Sequence, residues 1–438
     1  MKGIRGFFGF VKNIAKDSVM LLLKYIFVGI FWIILTIVAN KFELNDLTYF
    51  NAIFSLMVLS CIIPFGISQG IGVFINQNID DKKSKKRHIK VGFLLNLIAS
   101  IIILLMIFIF KELIFERLII VEITDNYKFF YMMLPVIFMV MNCDYFSNIL
   151  KILKESKVNL LFCMVDFGVT LLFIGLFYSL GALSLNILAI CYILTKIICM
   201  PSFTCYAFKY LTKDKYDIIK ILKTKTNFKI KELKQICQFA ATETIWNIGY
   251  IISGLVLLKN SELIYNSYTY FENVLSILNG LYFSFINICS ITICSHLGRK
   301  EYDKAYQNGK YSIVLIIIIW SIIAGSTILF QGIITSGMNA DIQTIGKTIL
   351  LPYMVIQLLR FLDWGVFTYI TSTCGDLKLI STMNYIWLVY FIILFILSNF
   401  IKINEVLLIL LIGLDGLVNT IIGLRYFKSK KWLKKVTG

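Results

Sequence analysis

Acidic residues inside long apolar stretches are the first feature of this sequence that could do chemistry. They are Asp144, Asp166, Glu243, Glu272, Asp363 and Asp415. A charged side chain is costly inside a bilayer, so such residues are candidates for binding an ion or a substrate. A carboxylate held away from water can be protonated or can pair with a cation. A site where H⁺ or Na⁺ competes with a charged solute needs this chemistry.

Two of these acids have neighbours that suggest a role. Trp246 lies three residues after Glu243, so a carboxylate and an indole share a helix face and suit an organic cation. The alternative is a Glu near a helix end that reaches water. Arg360 lies three residues before Asp363 on the same face, and the alternative there is a structural ion pair.

The other acids differ in how their burial could be compensated. Asp166 has no basic residue within one helical turn, which favours a binding role. Asp144 follows Asn142 and could bind an ion or cap a broken helix. Local hydrogen bonds can satisfy Glu272, and a bond to a neighbouring helix can satisfy Asp415.

Basic residues inside the spans bear on the choice of cargo. Lys24 lies near the predicted cytoplasmic end of the first span and can extend to the surface. Lys196 is deeper, and we expect it to pair with an acid on a neighbouring helix. With Arg360, three interior bases face six interior acids. This balance favours a cationic or zwitterionic cargo, whereas free basic side chains would favour phosphates.

The sequence gives little support for a metal site or a bound cofactor. The sequence has two histidines, His88 and His296, both predicted at solvated helix ends. Its ten cysteines form no CxxC pair and read as small buried hydrophobic residues. We therefore expect no metal site and no cofactor besides H⁺ or Na⁺ as the coupling ion.

Composition predicts an all-α integral membrane protein. The chain has 438 residues, of which 58% are hydrophobic and 16% charged, with a mean hydropathy of +0.81. Stretches of about 20 apolar residues can span a bilayer. About twelve stretches qualify: 18–39, 49–77, 91–110, 129–150, 158–179, 184–207, 236–258, 264–294, 311–331, 347–371, 380–400 and 405–425.

The distribution of basic residues predicts the orientation. The formal net charge is +18, and about 33 Lys and Arg fall on the side that carries both termini, against about 7 on the other. Acidic residues divide almost evenly, which is the positive-inside pattern. We expect a multi-pass protein of the plasma membrane with both termini cytoplasmic. We expect these basic residues to contact anionic lipid rather than nucleic acid.

An internal repeat divides the chain into two halves. Long spans that run into charged turns recur at a shift of about 218 residues, as in SQGIGVFINQNIDDKKSKKRHIKVG and ICSITICSHLGRKEYDKAYQNGKYS. We predict an N-terminal six-helix lobe (1–207), a basic cytoplasmic linker (208–235) and a C-terminal six-helix lobe (236–438). The lobes are expected to be pseudo-symmetric around a central cleft. The linker is read as an interfacial amphipathic segment, with a regulatory lipid-binding element as the alternative.

Three stretches resemble segments of a known transporter family. VNLLFCMVDFGVTLLFIGLFYSLGALSLNILA resembles its fifth and sixth helices, SHLGRKEYDKAYQNGK the turn after its eighth, and FLDWGVFTYITSTCGDLKL its tenth. The residues that carry the likeness are Asn159, Asp166, Leu180, Gly181, Ala182, Ala189, Leu297, Gly298, Ala305, Asp363, Gly375, Asp376 and Lys378. On these residues the chain resembles the MATE (multidrug and toxic compound extrusion) family. Its superfamily also holds polysaccharide and lipid-linked oligosaccharide flippases.

The resemblance implies roles for three acids. Glu243 resembles the ion-coupling Glu of the family's seventh helix, and Asp363 resembles the acid of its tenth. Asp166 resembles the Asp of its fifth helix. Many members also carry an Asp near the end of the first helix, where this sequence has Ala39 and Asn40. That departure shifts the expected ion site from the first and fifth helices towards Glu243 and Asp363, with Asp166 as a further candidate.

The sequence thus favours an antiporter that exports organic, cationic solutes by alternating access. It is expected to act as a monomer. The alternative is a flippase for a lipid-linked or polysaccharide cargo on the same scaffold. An ATP-driven mechanism is not expected because no GxxxxGK[ST] stretch occurs. An enzymatic activity is not expected either, because no cluster of acids or histidines lies in the loops at the membrane face. A scaffold role would leave the interior acids unexplained.

Overall fold

The structure is a computed structural model. It describes residues 2–39, 50, 53–54, 56–78, 81–112, 127–212, 230–336, 340–366 and 377–433. This described part consists of helices and the turns between them. The helices are α1 (Lys2–Ala39), α2 (Ile62–Gln77), α3 (Lys82–Ile109), α4 (Tyr127–Ile152), α5 (Ser156–Ser179), α6 (Leu185–Thr212), α7 (Ile230–Asn260), α8 (Glu262–Gly298), α9 (Tyr302–Leu329), α10 (Gln331–Ser336), α11 (Ala340–Leu362), α12 (Lys378–Leu397), α13 (Glu405–Ile412) and α14 (Leu414–Lys428).

Eleven helical stretches in the described residues are long and apolar enough to cross a bilayer. They overlap the second to twelfth predicted spans. The first predicted span, 18–39, lies within α1, and some of its side chains are outside the described part. In hydrocarbon a helix satisfies its own backbone hydrogen bonds, so apolar stretches of this length fold as helices. The predicted all-α membrane fold is confirmed.

Two short helix connections share one turn geometry. Lys154, between α4 and α5, and Lys300, between α8 and α9, have φ angles of 62° and 61°. The next residue donates its amide back across the turn: Glu155 N to Leu150 O at 2.8 Å, and Glu301 N to His296 O at 2.9 Å. These bonds satisfy carbonyl groups left open at the helix ends.

The carboxylate of Glu301 stabilises the second of these turns. Lys304 Nζ donates to Glu301 Oε1 at 2.8 Å, and His296 Nδ1 lies 2.5 Å from Glu301 Oε2. The hydrogen bonds from Lys304 and His296 lower the pKa of the Glu301 carboxyl from 4.5 to about 2. The Glu301 carboxylate therefore stays ionised, and keeps both bonds, to a lower pH than an ordinary glutamate would.

The chain divides into two compact units. The N-terminal unit comprises Leu23–Ile75 and Asp80–Ala240. The C-terminal unit comprises Met1–Leu22, Asn76–Ile79 and Ala241–Gly438. The predicted division at 207 and 236 stays a prediction, and most of the linker predicted at 208–235 lies outside the described residues.

Packing within each unit centres on one helix. In the N-terminal unit α4 packs against α3, α5 and α6, with Phe129, Met133 and Tyr145 fully buried. In the C-terminal unit α11 packs against α8, α9, α13 and α14. The fourth span of each predicted half thus contacts the third and the sixth, as expected if the halves are repeats.

Both ends of the described chain pack on α9 in the C-terminal unit. Phe7 and Phe10 of α1 lie with their ring centroids 5.9 Å from that of Tyr311. Trp432, after α14, is fully buried. Its ring stacks on Phe427 of α14 at 5.3 Å and packs against Gly309 of α9, where an added Cβ would lie 3.7 Å from it. These aromatic contacts fix the start of α1 and the segment after α14 to the same helix.

Candidate functional site

Arg360, near the end of α11, organises a polar cluster in the C-terminal unit. It is 4% exposed, and its Nη1 donates to Tyr268 Oη at 2.6 Å. The same nitrogen lies 3.8 Å from Glu272 Oε1. The alternative interpretation, in which Arg360 forms an ion pair with Asp363, is wrong. Helical side chains point back towards the N-terminus of their helix, so the guanidinium reaches away from Asp363.

Glu272 has a second partner on α11. Gln357 Nε2 donates to Glu272 Oε1 at 2.9 Å. Gln357 and Arg360 are one turn apart on α11, as Tyr268 and Glu272 are on α8, so the two helices meet through four polar side chains. The interpretation that Glu272 only bonds locally is wrong, because its partners lie on another helix.

Asp363 is held by a neutral partner. It is 3% exposed, and its Oδ2 accepts from Asn419 Nδ2 of α14 at 3.2 Å. Asn419 Oδ1 in turn accepts from Trp387 Nε1 of α12 at 2.9 Å. Asp363 Oδ1 is buried with no hydrogen-bond partner in the described part of the chain. Asp363 also opens a π-helical turn at 363–366, and such turns are frequent at functional sites.

A small cavity lies beside this cluster. Its walls include Trp246, Arg360, Asp415 and Asn419. It encloses about 20 Å³ of space open to water, which is room for about one water-sized group. Two predicted site residues, Trp246 and Arg360, are thereby brought together. The half-buried Glu243, one turn before Trp246, is not among the residues that line this cavity.

Close helix contact places Asp415 on the cavity wall. A Cβ on Gly416 would lie 3.2 Å from the backbone nitrogen of Arg360, so only glycine fits without displacement. Thr420 Oγ1 donates to Leu359 O at 2.9 Å. Small residues and hydroxyls of this kind let helices approach closely in membranes. Asp415 Oδ1 is buried without a hydrogen-bond partner in the described residues.

A buried ion pair marks the N-terminal unit. Lys196 Nζ of α6 contacts Asp166 Oδ2 of α5, and the two residues are 5% and 7% exposed. The pairing predicted for Lys196 is confirmed. The absence of a basic residue within one helical turn of Asp166 therefore does not leave its charge uncompensated, because Lys196 reaches it from the next helix.

Other polar groups of this unit join α1, α4 and α5. Lys24 Nζ donates to Ser147 Oγ at 2.6 Å, so it bonds inside the unit instead of extending to the surface. Ser147 Oγ donates to Asn159 Oδ1 at 2.9 Å. Asn159 is one of the positions that resemble the transporter family. Asn40, where family members place an Asp, lies outside the described residues.

Asp144 lies inside a continuous helix. α4 runs unbroken from Tyr127 to Ile152, so the prediction that Asp144 caps a broken helix is wrong. Its Oδ2 accepts from Asn148 Nδ2 at 3.2 Å, and Asn142 Nδ2 donates to Phe138 O at 2.8 Å. α4 stays continuous at Asp144 because its apolar surroundings exclude water that would compete for its backbone hydrogen bonds.

One histidine differs from its predicted surroundings. His88 is 2% exposed, not solvated. Its ring stacks on Phe74 at 5.0 Å, and its Nε2 lies 3.6 Å from Glu232 Oε1. Arg87 Nη2 donates to the same oxygen at 2.5 Å. Among the described residues no group of three His, Cys, Asp or Glu could hold a metal ion.

The structure also adds residues that the sequence did not single out. They are Tyr268, Gln357, Trp387 and Asn419. All are uncharged, so they lack the interior charge that marks the candidate acids and bases in the sequence. Asn419 follows Asp415 by four residues, and this spacing on one helix face is a signal that could have found it.

Comparison with known proteins gives a likeness in structure rather than in sequence. No family model matches the chain, and no curated protein sequence does. An outward-facing multidrug resistance MATE family transporter of the MOP superfamily matches with a TM-score of 0.78 at 14% identity, over 98% of this chain and 99% of that one. A MATE transporter of Vibrio cholerae matches with a TM-score of 0.80 at 12% identity, over 98% and 99%.

A third similar structure comes from the same superfamily. It is a Pyrococcus furiosus MOP superfamily transporter, described as having a binding pocket of reverse polarity that suggests a different function. Its TM-score is 0.79 at 13% identity, over 96% of each chain. The chain therefore has the fold of MATE transporters, and the resemblance predicted from its sequence is confirmed at the level of the fold.

Proposed function

We propose that this chain is a secondary active transporter that exports organic cations in exchange for H⁺ or Na⁺ by alternating access. The fold supports a transporter, because the similar structures are transporters and the likeness covers nearly the whole chain. The proposal assigns the chain no enzymatic reaction, and it takes the working unit to be a monomer in the plasma membrane.

The observation that carries the ion coupling is the surplus of acids in the C-terminal unit. Among the described residues of this interior, Glu272, Asp363 and Asp415 outnumber the one buried base, Arg360, which pairs with Glu272. Asp363 and Asp415 each keep one buried oxygen without a hydrogen-bond partner in the described residues. Unpaired buried carboxylates are costly, so a cation that neutralises them binds favourably.

The cavity beside these acids supports an ion rather than the cargo as its ligand. Room for about one water-sized group accommodates H⁺ on a carboxylate or a small metal cation. H⁺ and Na⁺ are both candidate coupling ions. A proton needs only one carboxylate, whereas Na⁺ needs several oxygen ligands. Trp246 on the wall adds an aromatic face that suits an organic cation once the cavity widens.

The runner-up is a flippase for a lipid-linked or polysaccharide cargo that carries negative charge. The Pyrococcus furiosus structure supports it, since its pocket is described as reversed in polarity on the same fold. Against it, Lys196 pairs with Asp166 and Arg360 with Glu272. Basic side chains committed to acids are less able to hold a phosphate.

Flux in proteoliposomes tests the proposal. With H⁺ and Na⁺ gradients imposed separately, we expect efflux of a fluorescent organic cation to follow one gradient. Asp363→Asn should abolish this coupled efflux because it removes a charge that the ion neutralises. Asp303→Asn, an exposed acid on α9, is the matched control and should leave efflux unchanged. Normal efflux in Asp363→Asn would remove that residue from the mechanism, and gradient-independent movement of a lipid-linked cargo would favour the flippase.

A further inference from the structure

The two units differ in how their interior charges are balanced. In the N-terminal unit Lys196 contacts Asp166 directly, and both side chains are nearly excluded from solvent, at 6% and 10% exposure. An ammonium and a carboxylate in contact form a neutral pair. A second monovalent cation at this carboxylate would leave a buried net positive charge, which is unfavourable.

A second interior acid described in this unit, Asp144, also has basic residues near it. Lys24 bonds to Ser147 at 2.6 Å, and Asp144 bonds to Asn148 at 3.2 Å. Asp144 lies within electrostatic range of both Lys24 and Lys151. The bases of this interior therefore at least match its acids. Among the described residues of the C-terminal unit, the acids Glu272, Asp363 and Asp415 outnumber the one buried base, Arg360, so negative charge is left over.

We propose that Lys196 is a tethered cation: its ammonium occupies the position at Asp166 that an exchanged ion would take. The N-terminal unit then exchanges no ion, and ion exchange is confined to the acids of the C-terminal unit. This inference rests on the proposed transport function and specifies which unit sets the ion stoichiometry. Asp166 Oδ1, buried without a hydrogen-bond partner in the described residues, is the oxygen that a free ion would reach if Lys196 were removed.

Ion binding to purified, cargo-free protein tests the inference separately from transport. The experiment uses radioactive Na⁺ and, in parallel, proton uptake after a pH jump. All variants carry Asp363→Asn, which disables the proposed site of the C-terminal unit. Lys196→Met in this background should gain about one saturable cation per chain, because Asp166 loses its neutralising partner. Adding Asp166→Asn should abolish the gain. Lys196→Arg is the matched control and should gain nothing, because it keeps the tethered charge.

Two results would overturn the inference. One is binding of Na⁺ or H⁺ that depends on Asp166 while Lys196 is intact. The other is a folded Lys196→Met variant that gains no binding dependent on Asp166. If Lys196→Met does not fold, Asp166→Asn/Lys196→Met is made in a chain that keeps Asp363. It removes both charges of the pair and should keep the ion-to-cargo stoichiometry of the wild type. A changed stoichiometry in this double variant would also reject the inference. If the ion-binding results are as expected but the protein transports no cargo, only the transport proposal is rejected.

Discussion

At the scale of single residues, buried charges are stabilised by partners on other helices. Arg360 of α11 is held by Tyr268 and Glu272 of α8. Asp363 is held by Asn419 of α14. In a medium of low polarity a charge without such a partner carries a large penalty. The side chains that orient the acids are therefore as important to the site as the acids themselves.

Loss of Arg360 is predicted to destabilise the C-terminal unit. Arg360→Met should cost about 3–5 kcal/mol, because removing one member of a buried ion pair leaves the other charge stranded. Glu272→Gln in the same chain should recover part of that loss. The apparent midpoint of thermal unfolding in detergent measures both effects. Lys347→Met, an exposed position on the same helix, is the control, and equal midpoints for Arg360→Met and this control would contradict the prediction.

At the scale of elements, two turns and one helix contact determine where the polar residues lie. Gly416 lets α14 approach α11 so closely that Asp415 reaches the cavity wall. The turns at Lys154 and Lys300 reverse the chain within a few residues at positive φ. A side chain with a Cβ is unfavourable in that conformation, which glycine adopts readily.

Glycine at these two turns is predicted to stabilise the protein. Lys154→Gly and Lys300→Gly should each raise the free energy of unfolding by up to about 1 kcal/mol, because the left-handed strain is removed. Lys347→Gly, in the interior of α11, should lower it by about 1 kcal/mol. Unfolding midpoints in detergent separate the opposite signs. A loss of stability in both turn variants would show that the lysine side chains matter more than the backbone strain.

At the scale of the whole molecule, each unit carries a buried polar cluster, but the two clusters differ in charge. Acids and bases balance in the N-terminal unit, and acids exceed bases in the C-terminal unit. The predicted repeat thus carries different chemistry in its two copies. Ion coupling by one copy alone would follow from that difference.

The predicted orientation can be measured directly. Lys431→Cys, after α14, should react with a membrane-impermeant thiol reagent only from the cytoplasmic side, because the positive-inside rule places both termini there. Lys402→Cys, between α12 and α13, should react only from outside. Both positions are exposed. Labelling of intact cells and inverted vesicles is compared with the wild type, whose exposed Cys205 and Cys237 set the background. The reverse pattern would invert the topology.

Eleven of the spans, the fold class and the positions of the interior acids could all be predicted from the amino-acid sequence. Each of these depends on the local composition of a short stretch: about 20 apolar residues suffice for a span, and a charge within one stands out at once. The resemblance to a transporter family came from short motifs and was confirmed in the fold.

Which buried groups contact one another depends on helix packing, and it became clear from the three-dimensional structure. Lys196 and Asp166 are 30 residues apart, Asn419 and Asp363 are 56 apart, and Gln357 and Glu272 are 85 apart. These pairings depend on how helices pack and rotate, and spacing within one helix carries no information about either. That is why an ion pair between Arg360 and Asp363 was an alternative on sequence spacing, whereas packing of α11 against α8 pairs Arg360 with Glu272.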